Sequence, residues 1–123
     1  MEGFTSKTCA MEWDVNEDND IRIAYKTDWI KLEEYNEVDR RAGVYIFADD
    51  KFDVKYIGKA MERPSPLEHI SVFEIYSAML KGKANGALLV KALYTSSNEQ
   101  ARELDDEMVR KYSPANNIYL TER

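Results

Sequence analysis

From Gly43 to Gly58, in the stretch GVYIFADDKFDVKYIG, apolar and β-branched residues fill two short runs separated by a charged turn. Gly43–Ala48 and Asp53–Gly58 are predicted to be strands, with Asp49-Asp50-Lys51 marking the turn between them. If the loop spans 49–52, the antiparallel register sets Tyr45 opposite Tyr56 and Gly43 opposite Gly58. Tyr45, Phe47, Val54 and Tyr56 then share one face, while Val44, Ile46 and Ile57 take the other. A loop one residue longer or shorter parts the two tyrosines. Two phenols on one face, bracketed by glycines, form either an aromatic packing pair or a surface that a phosphate can approach closely.

The pattern elsewhere places the hairpin among helices. Upstream, residues 9–15 and 21–25 read as a second hairpin around the turn Asn16-Glu17-Asp18-Asn19-Asp20. Thr27 or Asp28 then caps a short helix through about Val38, with Trp29, Leu32 and Tyr35 or Asn36 inward. Downstream, Ser65-Pro66-Leu67-Glu68 is a helix start, with serine as cap, proline at the first helical position and Glu68 completing a capping box. That helix is expected to reach Lys81 and stop at Gly82, with Ile70, Phe73, Tyr76 and Leu80 as its apolar stripe and His69 at the margin. A basic loop, Lys81–Gly86, leads to a third strand over Ala87–Tyr94. The last helix, capped by Ser97 with Gln100 or Ser96 with Glu99, ends near Tyr112 before Ser113-Pro114. Its core stripe is Ala101, Leu104, Met108 and Tyr112.

Composition narrows the class. A chain of 123 residues holds one core, and 44% hydrophobic with 33% charged residues is ordinary for a globular protein. The single cysteine, Cys9, excludes an internal disulfide. No apolar run is long enough to span a membrane, and the first residues lack a basic start followed by a hydrophobic stretch, so a cytoplasmic protein with no membrane partner is expected. The acidic turn at 16–20 lacks the central glycine and distal glutamate of a calcium loop. Charge divides the chain in two. Residues 1–40 carry eleven acidic and five basic side chains, a net of −6, whereas 41–123 carry twelve of each. We read 1–40 as an acidic extension packed on a core domain of 41–123, repelling nucleic acid or facing a basic protein partner.

One polar residue breaks a pattern. Asp105 falls within the apolar arc of the last helix, while Glu103, Asp106 and Glu107 point outward. A carboxylate on an inward face requires a cation or a donor. Either an ion pair within the core or a hard metal ion satisfies it, and Mg²⁺ typically takes only one or two protein carboxylates.

Gly43-Val44-Tyr45, ten intervening residues, then Tyr56-Ile57-Gly58 followed by Lys59-Ala60, resembles the paired signature of the GIY-YIG nuclease superfamily. The resemblance runs from about Trp29 to Ile118. It implies a small α/β domain, a three-stranded antiparallel sheet flanked by helices, carrying a metal-assisted nuclease site. It places Asp105 where the family has a metal-holding glutamate, one methylene longer, and Asn117 in the family's closing asparagine segment. The family's arginine, eight residues beyond the second glycine, corresponds here to Pro66, leaving Arg63 or Lys59 as nearby cations.

The resemblance therefore implies a weak endonuclease hydrolysing DNA phosphodiester bonds with one Mg²⁺ or Mn²⁺. Tyr45, through a lowered pKa or through water, would activate the nucleophile, Tyr56 would orient it and Asp105 would hold the metal. Arg63 or Lys59 would neutralise phosphate, and His69 is a candidate acid or base. Lys59, Lys81 and Lys83 are the candidate DNA contacts, and Gly43, Gly58 and Asn117 the structural positions of the motif. The alternative is an inactive binding protein on the same scaffold, acting through a protein partner.

Overall fold

The computed structural model describes residues 11–38, 41–60 and 70–117, and of 70–73 the backbone only. Arg63, Pro66, His69 and the expected helix start at Ser65 lie outside the described residues, as do Cys9 and Ile118.

Five antiparallel strands form one sheet: β1 (Ile23–Lys26), β2 (Ile30–Lys31), β3 (Gly43–Ala48), β4 (Val54–Ala60) and β5 (Leu89–Thr95). Their order is β1-β5-β3-β4, and β2 also pairs with β5. The sheet is thus larger than the three strands expected. The additional two come from the leading segment, where 21–25 does not pair with 11–15, whose Glu12 bridges Asp53. Instead Tyr25 pairs with Tyr94 and Ile30 with Val90. The expected turn at 16–20 falls in a 3₁₀ helix, Val15–Asn19, capped by the Asp14 side chain accepting from the Asn16 amide. The expected helix through Val38 is β2 followed by a kinked 3₁₀ segment, Leu32–Glu37.

Helices α1 (Ile70–Leu80) and α2 (Asn98–Tyr112) cover opposite faces of the sheet. On the α1 face Tyr45, Phe47, Tyr56, Val90 and Ala92 pack with Ile75 and Ala78. On the α2 face Val44, Ile46, Ile57 and Leu93 pack with Leu104, Met108, Tyr112 and Trp13. The α2 stripe is as the periodicity predicts, and its cap is the Ser97 hydroxyl accepting from the Gln100 amide at 3.1 Å. The α1 stripe is not, where its side chains are described; those of Ile70 and Phe73 lie outside the described residues. Tyr76 and Leu80 are exposed, and the buried positions are Ile75 and Ala78. Against the aromatic rings of this sheet face α1 sets Ile75 and Ala78, with Met79 partly buried beside them. Tyr76 instead stacks on Tyr35 at 6.1 Å. Gly82, at φ 80°, ends α1 as expected.

Ion pairs join residues 14–22 to α2 and β5. Lys111 of α2 binds Asp14 at 3.0 Å and Glu17 at 2.6 Å, and Arg22 spans Asp20 and Glu107. Lys91, almost wholly buried on β5, meets Asp18 at 3.3 Å with its ammonium over the Trp29 ring. Four of the acids behind the −6 imbalance therefore face cations of the same chain. Among the described residues no helix is long and apolar enough to cross a membrane.

Candidate active site

The hairpin register corrects the sequence reading in its detail. Tyr45 pairs with Gly58 and Phe47 with Tyr56, while Gly43 pairs with Ala60. Two shifts produce this. The Asp49 amide donates to the Asp53 carbonyl, and the Asp49 carboxylate accepts from the Lys51 and Asp53 amides. The loop between them holds three residues, and Phe52 takes the left-handed conformation at φ 67°. A bulge then separates Ala48↔Val54 from Phe47↔Tyr56. The two one-residue shifts together keep Tyr45 and Tyr56 on one face. Val54, on the near side of the bulge, joins the opposite face with Val44 and Ile57, contrary to the expected arrangement.

Gly58 opposite Tyr45 has a steric reason. A Cβ there would lie 2.5 Å from Tyr45 Cζ, 2.6 Å from its hydroxyl oxygen and 2.8 Å from Tyr56 Cε2. The Tyr45 ring therefore lies across the glycine, with the two phenol rings 6.1 Å apart. At Gly43 a Cβ would meet the Leu93 carbonyl oxygen at 2.4 Å, so this glycine serves strand packing and not the cavity.

Around Gly58 opens a cavity of about 530 Å³. The sheet contributes Tyr45, Tyr56, Ile57, Gly58 and Lys59; α1 and its following loop contribute Glu74, Ser77, Ala78, Lys81 and Lys83; α2 contributes Asp105, Asp106, Val109 and Arg110; Asn117 closes it. Asp105 reaches it from the helix on the other face of the sheet, beside the edge strand β4. Lys59 meets Asp105 Oδ2 at 3.7 Å, whereas Oδ1 is buried without a hydrogen-bond partner among the described residues. Burial raises the Asp105 pKa to about 6, against the opposing pull of the Lys59 ammonium. Lys83 sits 5.6 Å above the Tyr56 ring.

Burial pushes the Tyr45 hydroxyl well above the ordinary tyrosine value, with the Tyr56 and Glu74 charges adding to it. Tyr56 is raised to about 12, by burial first and the Asp105 charge second. This shift at Tyr45 runs opposite to the expected lowering of its pKa, because among the described residues no cation offsets its desolvation. It leaves the expectation that Tyr45 acts through water.

Asn117 serves the edge of the sheet. Its Oδ1 accepts from the Ile57 amide at 2.7 Å and its Nδ2 donates to the Ile57 carbonyl at 2.8 Å, both buried. Replacing Asn117 with Ala leaves that peptide group unpaired on its outer side, and is expected to destabilise the protein by about 2–4 kcal/mol. The urea midpoint measures this.

Of the sequence-predicted residues, Tyr45, Tyr56, Gly58, Lys59, Lys81, Lys83, Asp105 and Asn117 all border this cavity. Sequence reasoning missed Glu74, Asp106 and Arg110. Glu74 was hidden by the misplaced α1 stripe. Asp106 and Arg110, one turn apart on α2, read as solvated surface, and their closeness to Asp105 along the helix is the signal that could have found them.

Among known proteins, a solved structure of similar fold is the GIY-YIG N-terminal endonuclease domain of UvrC from Thermotoga maritima, bound to magnesium. The superposition has a TM-score of 0.52 at 19% identity, covering 68% of this chain and 91% of that domain. The fold is GIY-YIG-like. No family model matches the sequence, and neither does any curated protein.

Proposed function

We propose that this GIY-YIG-like domain hydrolyses phosphodiester bonds of DNA with one divalent cation. The observation that carries the reading is the buried Oδ1 of Asp105, unpartnered among the described residues, in a residue that borders a cavity holding both motif tyrosines and Lys59. The donor set fits a hard ion. Among the described residues no cluster of three or more His, Cys, Asp or Glu is gathered, and Mg²⁺ needs only one or two carboxylates with water and phosphate completing its shell. Asp105 would hold the ion, which when bound stabilises the developing charge on the leaving oxygen.

The residues of the chain supply the rest. Tyr45 and Tyr56 orient the attacking water through hydrogen bonds. As its oxygen bonds to phosphorus its proton passes to solvent, the P–O bond to the leaving oxygen breaks, and that oxygen takes up a proton from solvent. Lys59 and Arg110 neutralise the phosphate. Because Asp14, Glu17, Asp18 and Asp20 already face cations within the chain, the partner we propose is DNA and not a basic protein.

A plasmid-nicking assay with Mg²⁺ and Mn²⁺ tests the reading. Wild-type protein nicks in a metal-dependent manner, and Tyr45→Phe, which keeps the ring over Gly58 but removes the hydroxyl, lowers the rate about 10–10²-fold. DNA binding without nicking by either metal would overturn hydrolysis and leave a binding protein on this scaffold.

A further inference from the structure

The loop after α1 is pinned to the site from an unexpected direction. Asn116 Nδ2 donates to the Lys83 carbonyl at 2.8 Å and to the Asn85 carbonyl at 3.1 Å. Its neighbour Asn117 grips both polar groups of the Ile57 peptide. The two adjacent asparagines thus join the Lys81–Gly86 loop to strand β4, elements that are otherwise distant in the chain. The loop contains Gly82 at φ 80° and Gly86 at φ 84°, conformations that place few restraints of their own on its path. The α1 end holds Lys81 and Lys83 through amides bonded to the Ser77 and Ala78 carbonyls, and turns closed by the Asn85 amide on Gly82 and the Ala87 amide on Ala84 shape the loop. The Leu88 amide ties its far end to Ala48, and Asn116 holds its middle by side-chain bonds to the Lys83 and Asn85 carbonyls.

The pinned loop delivers Lys81 and Lys83 to the same cavity wall, Lys83 above the Tyr56 ring. Lys59 and Arg110 border the cavity from β4 and α2. The cations therefore form two groups on separate elements, more than one phosphate requires. We propose that Asn116 is a positioning residue that holds the Lys81–Gly86 loop so that Lys81 and Lys83 receive a second phosphate, adjacent on the same strand to the one held by Lys59 and Arg110. The ligand class is then a polynucleotide strand, not an isolated phosphodiester. This rests on the hydrolytic reading only for the role of the first phosphate, because the second can be measured by binding alone.

The experiment measures fluorescence anisotropy of a labelled single-stranded oligonucleotide with Ca²⁺ across a salt series, for wild type, Asn116→Ala, Lys81→Ala/Lys83→Ala and the triple variant. Asn116→Ala is expected to weaken binding on the order of tenfold. It also flattens the slope of log K against log salt by up to about 0.7, the value for one phosphate of a single strand that is no longer neutralised. In the lysine-free background Asn116→Ala changes neither quantity, since its effect passes through those side chains. Asn116→Ser, a smaller donor, is expected to recover part of the slope. A general loss of structure would instead weaken binding equally in both backgrounds. That outcome, an unchanged slope in Asn116→Ala, or no oligonucleotide binding by wild type would each overturn the proposal. Wild-type binding without nicking would refute hydrolysis yet still decide the role of Asn116 from the same four proteins.

Discussion

Asp105→Asn is expected to abolish metal-dependent nicking while making the metal-free protein more stable. Asn keeps the shape of the side chain but not the charge that a hard cation requires, and loss of such an electrostatic stabiliser lowers rates by about 10²-fold or more. The stability effect follows from the same burial. The Asp105 carboxyl is raised from 3.8 to about 6 on folding, so the native state binds its proton more tightly than the unfolded chain does. Stability from this group is greatest below pH 3.8, falls as pH rises from there to about 6, and stays low above. The penalty at neutral pH is at most about 3 kcal/mol. Thermal melts without metal should therefore show Asp105→Asn above wild type at about pH 7, the gap closing toward about pH 4. A melting temperature lower than wild type at neutral pH would show that the Lys59 pair outweighs desolvation, and nicking that survives the substitution would place the metal elsewhere.

Gly58→Ala is expected to damage the site more than the fold. The added Cβ meets the Tyr45 ring and hydroxyl at 2.5 and 2.6 Å and the Tyr56 ring at 2.8 Å, contacts that only movement of both rings can relieve. Overpacking of this kind destabilises by about 1–3 kcal/mol. Displacing the two hydroxyls by about 1 Å lowers the cleavage rate on the order of 10²-fold. Nicking rates and urea melts of the same preparation separate the two effects. Wild-type rates in a folded Gly58→Ala protein would mean that the phenols do not act on the reaction.

Local signals in the sequence are legible wherever short-range chemistry decides the structure. The Ser97 cap, the Gly82 terminator and the inward phase of Asp105 each follow from residues close together in the chain, whereas the shared face of the tyrosines survives because a shorter loop and a bulge offset one another. The register of the hairpin is not legible in full. It depends on Phe52 adopting a positive φ, a conformation that a bulky residue takes here with its ring against Trp29. It also depends on a bulge that no residue type marks. The leading segment departs from its sequence reading for a different reason: Ile23–Lys26 and Ile30–Lys31 pair with the distant strand β5, and nothing local distinguishes that from a hairpin. Glu74 escapes because periodicity puts the largest apolar residues of α1 inward, where the aromatic face of the sheet meets Ile75 and Ala78 instead.

The grip of Asn117 on Ile57 has a consequence for self-association. β4 is an edge of the sheet, and its outward amides and carbonyls are the natural template on which another chain could add a strand. A side-chain amide occupies the middle of that edge, imitating one residue of a neighbouring strand while presenting no further backbone to extend the ladder. Any incoming strand must first displace two buried hydrogen bonds. The same side chain that borders the cavity thus caps the sheet against open-ended growth, beside the Met11–Trp13 stretch that covers the start of the same edge.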